Sequence, residues 1–309
     1  MIMKNHKKLE GLVAAPFTPM NKKGDLNMEV IPQYYELLER NGVIGAFING
    51  TTGEGLSLTM KERQLQALEW VRCRNAGGKV RIINMIGGTS YKECIENAIF
   101  SNEAGVDAVS LVAPYYSRPA DVDHLAEFVA LVGEAVPGLP LYFYHIPIFT
   151  GVSFPMAVFL EKISRILPNF VGIKFTHEDL MDFSLCLAYD NGKFDILWGR
   201  DECMLSAFSV GCRGVIGSTY NYLAPLYHEL IRSFDAGDLS GAKELQMISV
   251  KAIQLLGKYG GQPTGKAYMK YAGIECGICR SPVSNHTPEM RKSFEKDVQA
   301  LGIGEYFSK

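Results

Sequence analysis

A closed barrel of eight parallel strands, each followed by a helix, with further helices at the C-terminal end, is the α/β architecture that three features of this sequence predict. Short apolar runs alternate with helical patterns to about residue 220, the runs number eight, and only helical patterns follow them. A length of 309 residues suits such a barrel of about 250 residues with appended helices. Without a linker or low-complexity segment, the chain is expected to form a single domain over 1–309: a TIM (β/α)8 barrel core over 9–220 and a helical extension over 221–309 packed on it.

The runs are Leu12 to Ala15, Val43 to Ile48, Val80 to Ile86, Ala108 to Ala113, Leu141 to Tyr144, Val171 to Ile173, Asp195 to Trp198 and Gly214 to Ile216. Near-continuous apolar character marks strands buried on both faces, as parallel sheets require. Between them, Thr59-Met60-Lys61-Glu62 and Ser90-Tyr91-Lys92-Glu93 match the capping box that opens a helix. Leu65, Leu68 and Val71 recur at helical spacing, which predicts that they face the barrel. Helices are predicted over 222–235, 239–258, 263–272 and 287–302, the last opened by Thr287-Pro288.

With 31 Lys and Arg against 33 Asp and Glu, the net charge is -2, which favours neither nucleic acid nor an anionic membrane and leaves a small molecule as the expected partner. No apolar run is long enough for a membrane span, and the polar stretch Met1 to Lys8 lacks the apolar core of a secretion signal, so a cytoplasmic location is expected. Seven scattered cysteines predict reduced thiols. The lone Cys276-Gly277-Ile278-Cys279 pair reads as structural, and the dispersed histidines predict no metal site.

Barrel enzymes gather their chemistry at the carboxyl ends of the strands, so the residues after each run are the candidates. Lys174 ends the sixth run. In a closed pocket, loss of hydration would leave it a neutral amine able to form an imine, whereas in open solvent it would be an ordinary strand-end lysine. Tyr142 and Tyr144 share one side of the fifth strand, with Tyr144 nearer the mouth and beside Lys174, and His145 points away from the pore. Gly50-Thr51-Thr52-Gly53-Glu54-Gly55 follows the second run and suits a carboxylate or phosphate, or is a plain glycine-rich turn. Pro114-Tyr115-Tyr116 follows the fourth run, Gly199-Arg200-Asp201-Glu202 the seventh and Gly217-Ser218-Thr219-Tyr220-Asn221 the eighth. The carboxylates Asp201 and Glu202 suit hydroxyl recognition or a solvated helix start.

Together, Gly50-Thr51-Thr52-Gly53-Glu54, Tyr144-His145-Ile146-Pro147, Lys174 and Gly217-Ser218-Thr219-Tyr220-Asn221 resemble the pyruvate-dependent class I aldolases of the dihydrodipicolinate synthase and N-acetylneuraminate lyase family, from about Leu9 through the C-terminal helices. Within that family the pattern is similar to the lyase branch. Phe149 stands where the synthases carry a carboxylate-binding arginine, and Gly199, Asp201 and Glu202, with Lys174 and Thr176, match the lyases' sugar-acid segments. Arg200 occupies a position that is more often neutral. The resemblance implies retro-aldol cleavage of N-acetylneuraminate to N-acetylmannosamine and pyruvate, as in sialic acid catabolism, with Lys174 as the imine former and Tyr144 as the proton carrier. It implies that Thr51 and Thr52 hold the substrate carboxylate and that Thr176, Gly199, Asp201, Glu202 and Ser218 bind the sugar hydroxyls. No cofactor or metal is implied beyond the covalent imine. A homotetramer built as a dimer of dimers is implied, with Tyr116 reaching into the neighbouring subunit. The alternatives are a relative acting on another 2-keto-3-deoxy acid, or a non-catalytic ligand-binding barrel.

Overall fold

The structure, a computed structural model, describes residues 6–309. Eight parallel strands close into a barrel in chain order: β1 (Gly11–Ala14), β2 (Gly45–Ile48), β3 (Arg81–Met85), β4 (Ala108–Val112), β5 (Leu141–His145), β6 (Phe170–Phe175), β7 (Asp195–Trp198) and β8 (Gly214–Gly217), which pairs back with β1. Every apolar run predicted as a strand is one. The helices Ala224–Asp235, Leu239–Tyr259, Gln262–Met269 and Pro288–Leu301 follow β8 close to their predicted bounds.

Alternation sorts the strand side chains into two clusters. Val13, Phe47, Ile83, Met85, Val112, Tyr142, Tyr144, Val171, Leu197 and Ile216 pack together inside the barrel. Leu12, Ile48, Ile82, Leu111, Phe143, Ile173, Phe175 and Trp198 pack outward against the helices. Strand β6 breaks the alternation: Phe170 and Ile173 both belong to the outer cluster, and the β5–β6 register shifts between Leu141 and Tyr142. Above this irregularity Tyr144 pairs with Lys174. Low in the barrel, the Tyr142 hydroxyl donates to Asp195 Oδ2 (2.7 Å).

Two local expectations change. Leu65 and Leu68 are 43% and 45% exposed, while Arg63, Gln66, Ala67, Trp70 and Val71 are the buried residues of the Met60–Asn75 helix. A strict spacing of three drifts about 60° around a helix per step, so it does not define one face. The large Trp70 sets the face instead, packing edge-on against Tyr34 (5.7 Å). Thr59 and Glu62 form the full reciprocal capping box, but at Ser90 only the hydroxyl acts, accepting from Glu93 N–H (3.4 Å).

The C-terminal segment grips the turn after β2. Glu54, in the left-handed region (φ 54°), pairs through Oε1 with Lys266 Nζ (2.8 Å), and these side chains are 1% and 2% exposed. Arg280 N–H donates to Glu54 Oε2 (2.8 Å), and the Lys266 ammonium also donates to Ile278 O (2.6 Å). Gln262 Nε2 donates to Thr51 O (2.5 Å). The Arg280 guanidinium forks onto Glu62 (2.7 and 2.9 Å) and holds its carboxyl down at about 2.

Two substitutions test these constraints. A Cβ at Gly172 would lie 1.9 Å from Asp195 O of the adjoining strand, so Gly172→Ala must part β6 from β7; a loss of about 1–3 kcal/mol is expected by thermal melting. Lys266→Met strands the buried Glu54 carboxylate and should cost about 3–5 kcal/mol, with Glu54→Gln in the same chain recovering part of it.

Candidate active site

Lys174 projects inward from β6 and is 4% exposed. Its Nζ lies 4.0 Å from the ring centroids of both Phe47 and Tyr144, whose rings meet edge to face at 5.4 Å. Among the described residues, no carboxylate lies within ion-pair distance of Nζ. Burial strips the ammonium of water and pushes its pKa down to about 7, and the charge of Asp201 acts in the opposite direction. A near-neutral amine held beside a phenol is thus present at the carboxyl end of the barrel.

The Tyr144 hydroxyl lies 3.3 Å from Thr51 Oγ1, and burial pushes the phenol up to about 12. A phenol so placed stays protonated near neutrality and passes protons by exchange with neighbouring hydroxyls. Thr51 is exposed and turns its hydroxyl to Tyr144, while Thr52 lines the pocket around Lys174. The N–H groups of Thr52 and Gly53 donate to no acceptor among the described residues, and of the two Thr52 lines the pocket, where its N–H suits an anion.

Across the pocket, Asp201 is buried, and its Oδ2 accepts from the Thr219 N–H (2.9 Å) and hydroxyl (2.6 Å). Burial raises its carboxyl to about 6 against those bonds. A chain of hydroxyls from Thr219 through Tyr227 to Ser249 runs behind it at 2.6 and 2.7 Å. Glu202 and Ser218 are half-buried and line the pocket with Gly199. A Cβ at Gly199 would meet Thr176 Oγ1 at 2.0 Å, so only glycine allows the β6 and β7 loops to approach this closely. Thr176 Oγ1 is itself buried beside Gly199, its hydroxyl acts on the Tyr144 phenol to lower that group's pKa against burial, and Thr176 is not among the residues that line the pocket.

The pocket of about 160 Å³ joins Lys174, Tyr144, Thr52, Gly199, Asp201, Glu202 and Ser218. Ile253 and Leu256 complete it from the Leu239–Tyr259 helix. A larger groove of about 1230 Å³ lies among the C-terminal helices, but it contains neither the desolvated amine nor its phenol, so the smaller pocket is the chemical site. Phe47 could have been inferred from alternation one residue before the strand end. Thr219 lay in a noticed segment without a role, and no local signal marks Ile253 or Leu256.

Other candidates lie apart from Lys174. Tyr116 is 90% exposed. His145 is buried outside the barrel among Phe143, Phe175 and His177, and burial pushes it down to about 3, so it is a neutral packing group. Cys276 and Cys279 are buried thiols raised to about 12, inert near neutrality, and all seven cysteines are free.

Residues 8–301 match the model of the dihydrodipicolinate synthetase family. The chain is 38% identical to N-acetylneuraminate lyase of Rattus norvegicus over 301 residues, covering 96% of this chain and 94% of the relative. It is 39% identical to the Homo sapiens N-acetylneuraminate lyase over 299 residues, covering 96% and 93%. Among solved structures, it superposes on Proteus mirabilis N-acetylneuraminate lyase with a TM-score of 0.92 at 35% identity, covering 96% of this chain and 99% of the other. A dihydrodipicolinate synthase from Cyanidioschyzon merolae gives 0.88 at 26% identity, with 96% and 99% covered. By this match along nearly its whole length, the chain belongs to the dihydrodipicolinate synthetase family.

Proposed function

We propose that this chain cleaves N-acetylneuraminate to N-acetylmannosamine and pyruvate as a class I aldolase. The observation that carries the reading is the Lys174 amine, held against two aromatic rings with its pKa near 7. Its lone pair adds to the C2 ketone, water leaves, and the resulting iminium withdraws the electrons of the C3–C4 bond. The amine supplies the electrophile through the covalent imine.

Thr51 and Thr52 hold the substrate carboxylate through their hydroxyls and the backbone N–H of Thr52, which turns the ketone toward Lys174. Tyr144 accepts the proton of the C4 hydroxyl while passing its own through the exposed Thr51 hydroxyl to solvent, and the C3–C4 electrons settle as an enamine that takes a proton at C3 and is hydrolysed to pyruvate, freeing the Lys174 amine. Gly199, Asp201, Glu202 and Ser218 meet the hydroxyls of the sugar tail, and Thr176 supports that side of the site through its hydroxyl beside Tyr144.

A homotetramer of two dimers is the assembly we adopt. Its support is the exposure of Tyr116 after β4 and of Ile148 and Phe149 in the short helix Pro147–Thr150 after β5, apolar side chains suited to burial against another subunit. Tyr116 is then the residue that enters the neighbour's site.

Borohydride reduction in the presence of pyruvate should add one pyruvyl group to the peptide containing Lys174; an unmodified peptide removes the aldolase reading. Lys174→Ala should abolish both the adduct and pyruvate release from N-acetylneuraminate. Tyr144→Phe should retain the adduct and slow cleavage by about 10²–10⁴-fold, and wild-type turnover in it would exclude Tyr144 as the proton carrier.

Imine formation needs the neutral amine, so its rate should rise with pH to a plateau with a midpoint near 7. Asp201→Asn removes the anion that favours the ammonium, and the midpoint should move to lower pH. Trapping rates with pyruvate across pH 5–9 read the shift; movement upward would contradict the assigned electrostatics.

A further inference from the structure

Arg200 lies in the chain between the pocket residues Gly199 and Asp201 without lining the pocket itself, and the proposed reaction does not use it. Its Nη2 lies 2.6 Å from Glu178 Oε1 and 3.1 Å from Glu202 Oε1, so one guanidinium ties the loop after β6 to the loop after β7. The base of the side chain is fixed: Arg200 O accepts from Trp198 Nε1 (2.7 Å), and the buried Trp198 ring stacks on Phe175 at 6.2 Å and 11°. Arg200 Nε is buried and has no partner among the described residues. Glu202 lines the pocket, and Arg200 is its ion-pair partner among the described residues.

These contacts decide what Glu202 can do. A half-exposed glutamate samples several rotamers, and holding one of them costs side-chain entropy on ligand binding. A single guanidinium nitrogen, ion-paired to Glu178 and Glu202 together, prepays that ordering and leaves the second Glu202 oxygen free to accept from a ligand hydroxyl. Only a ligand that extends from Lys174 to the rim would feel it.

Resting on the aldolase reading above, we propose that Arg200 is a specificity-determining positioning residue, which orients Glu202 toward the polyol tail of a sugar acid and thereby favours long-tailed over short 2-keto acids. Arg200 touches no reacting atom and acts through Glu202.

The test measures kcat and KM for N-acetylneuraminate and for a four-carbon 4-hydroxy-2-keto acid in wild type, Arg200→Ala, Arg200→Lys and Glu178→Gln. Arg200→Ala should raise KM for N-acetylneuraminate about tenfold, leave kcat within about twofold, and leave the four-carbon acid unaffected, the pattern of lost ground-state positioning. Arg200→Lys, which keeps the charge but not the reach of the planar guanidinium to both carboxylates, should recover only part of the loss. Glu178→Gln, at the more exposed of the two ion pairs, should shift KM in the same direction by less. An equal loss on both substrates, or an unchanged KM for N-acetylneuraminate, overturns the proposal. Borohydride trapping with pyruvate on the same proteins separates the two readings. Absence of an adduct in wild type defeats the aldolase assignment, whereas a normal adduct with an unchanged substrate preference defeats Arg200 alone.

Discussion

Holding the Lys174 amine among the rings of Phe47 and Tyr144 removes the water that would keep it protonated, and the surrounding fold has to tolerate that unfavourable burial. A neutral amine is far cheaper to bury than an ammonium. The depressed pKa of about 7 and the nearly complete enclosure of the side chain are therefore two aspects of one constraint. Asp201 sets the balance from across the pocket: near enough to bias the amine toward protonation, yet engaged by Thr219 rather than by Lys174 itself.

Enclosure requires walls that do not yield, and these come from distant parts of the chain. The barrel supplies the floor, with Tyr142 and Asp195 joined below the site. The C-terminal helices supply one side through Ile253 and Leu256, and they secure the threonine turn through Gln262 and Lys266, with Arg280 from the segment before the last long helix. The buried Lys266–Glu54 pair is costly to assemble, but once its polar atoms are paired it specifies where the turn sits. Two lysines are thus buried within one fold to opposite ends. Lys266 is held by the Glu54 carboxylate and the Ile278 carbonyl, while Lys174 is left with aromatic neighbours and open chemistry.

The rim is organised differently. Arg200, Glu178 and Glu202 form a partly exposed charge network, which solvent screens more than the buried pairs, so its weight falls on orientation rather than on stability. A fold of this type thereby separates two tasks. Conserving burial at the base retains the amine chemistry, and changing charges at the mouth alters which tail is accepted.

The sequence by itself determined the order and type of the elements, because period-two and period-3.6 patterns depend on neighbours a few residues apart. It also placed Lys174 beside Tyr144, since consecutive strands of a parallel barrel pair and both residues stand at strand ends. Local patterns misled where a larger group set the packing, as Trp70 did over Leu65 and Leu68, and where the β6 irregularity turned Phe170 outward. Only the tertiary structure decided that Phe47 faces the amine, that Ile253 and Leu256 wall the pocket, that Lys266 meets Glu54 and that Arg200 bridges two glutamates. Most of those partners lie far apart along the chain. Their meeting depends on barrel closure and on how the last helices dock, and a short sequence window carries no record of either.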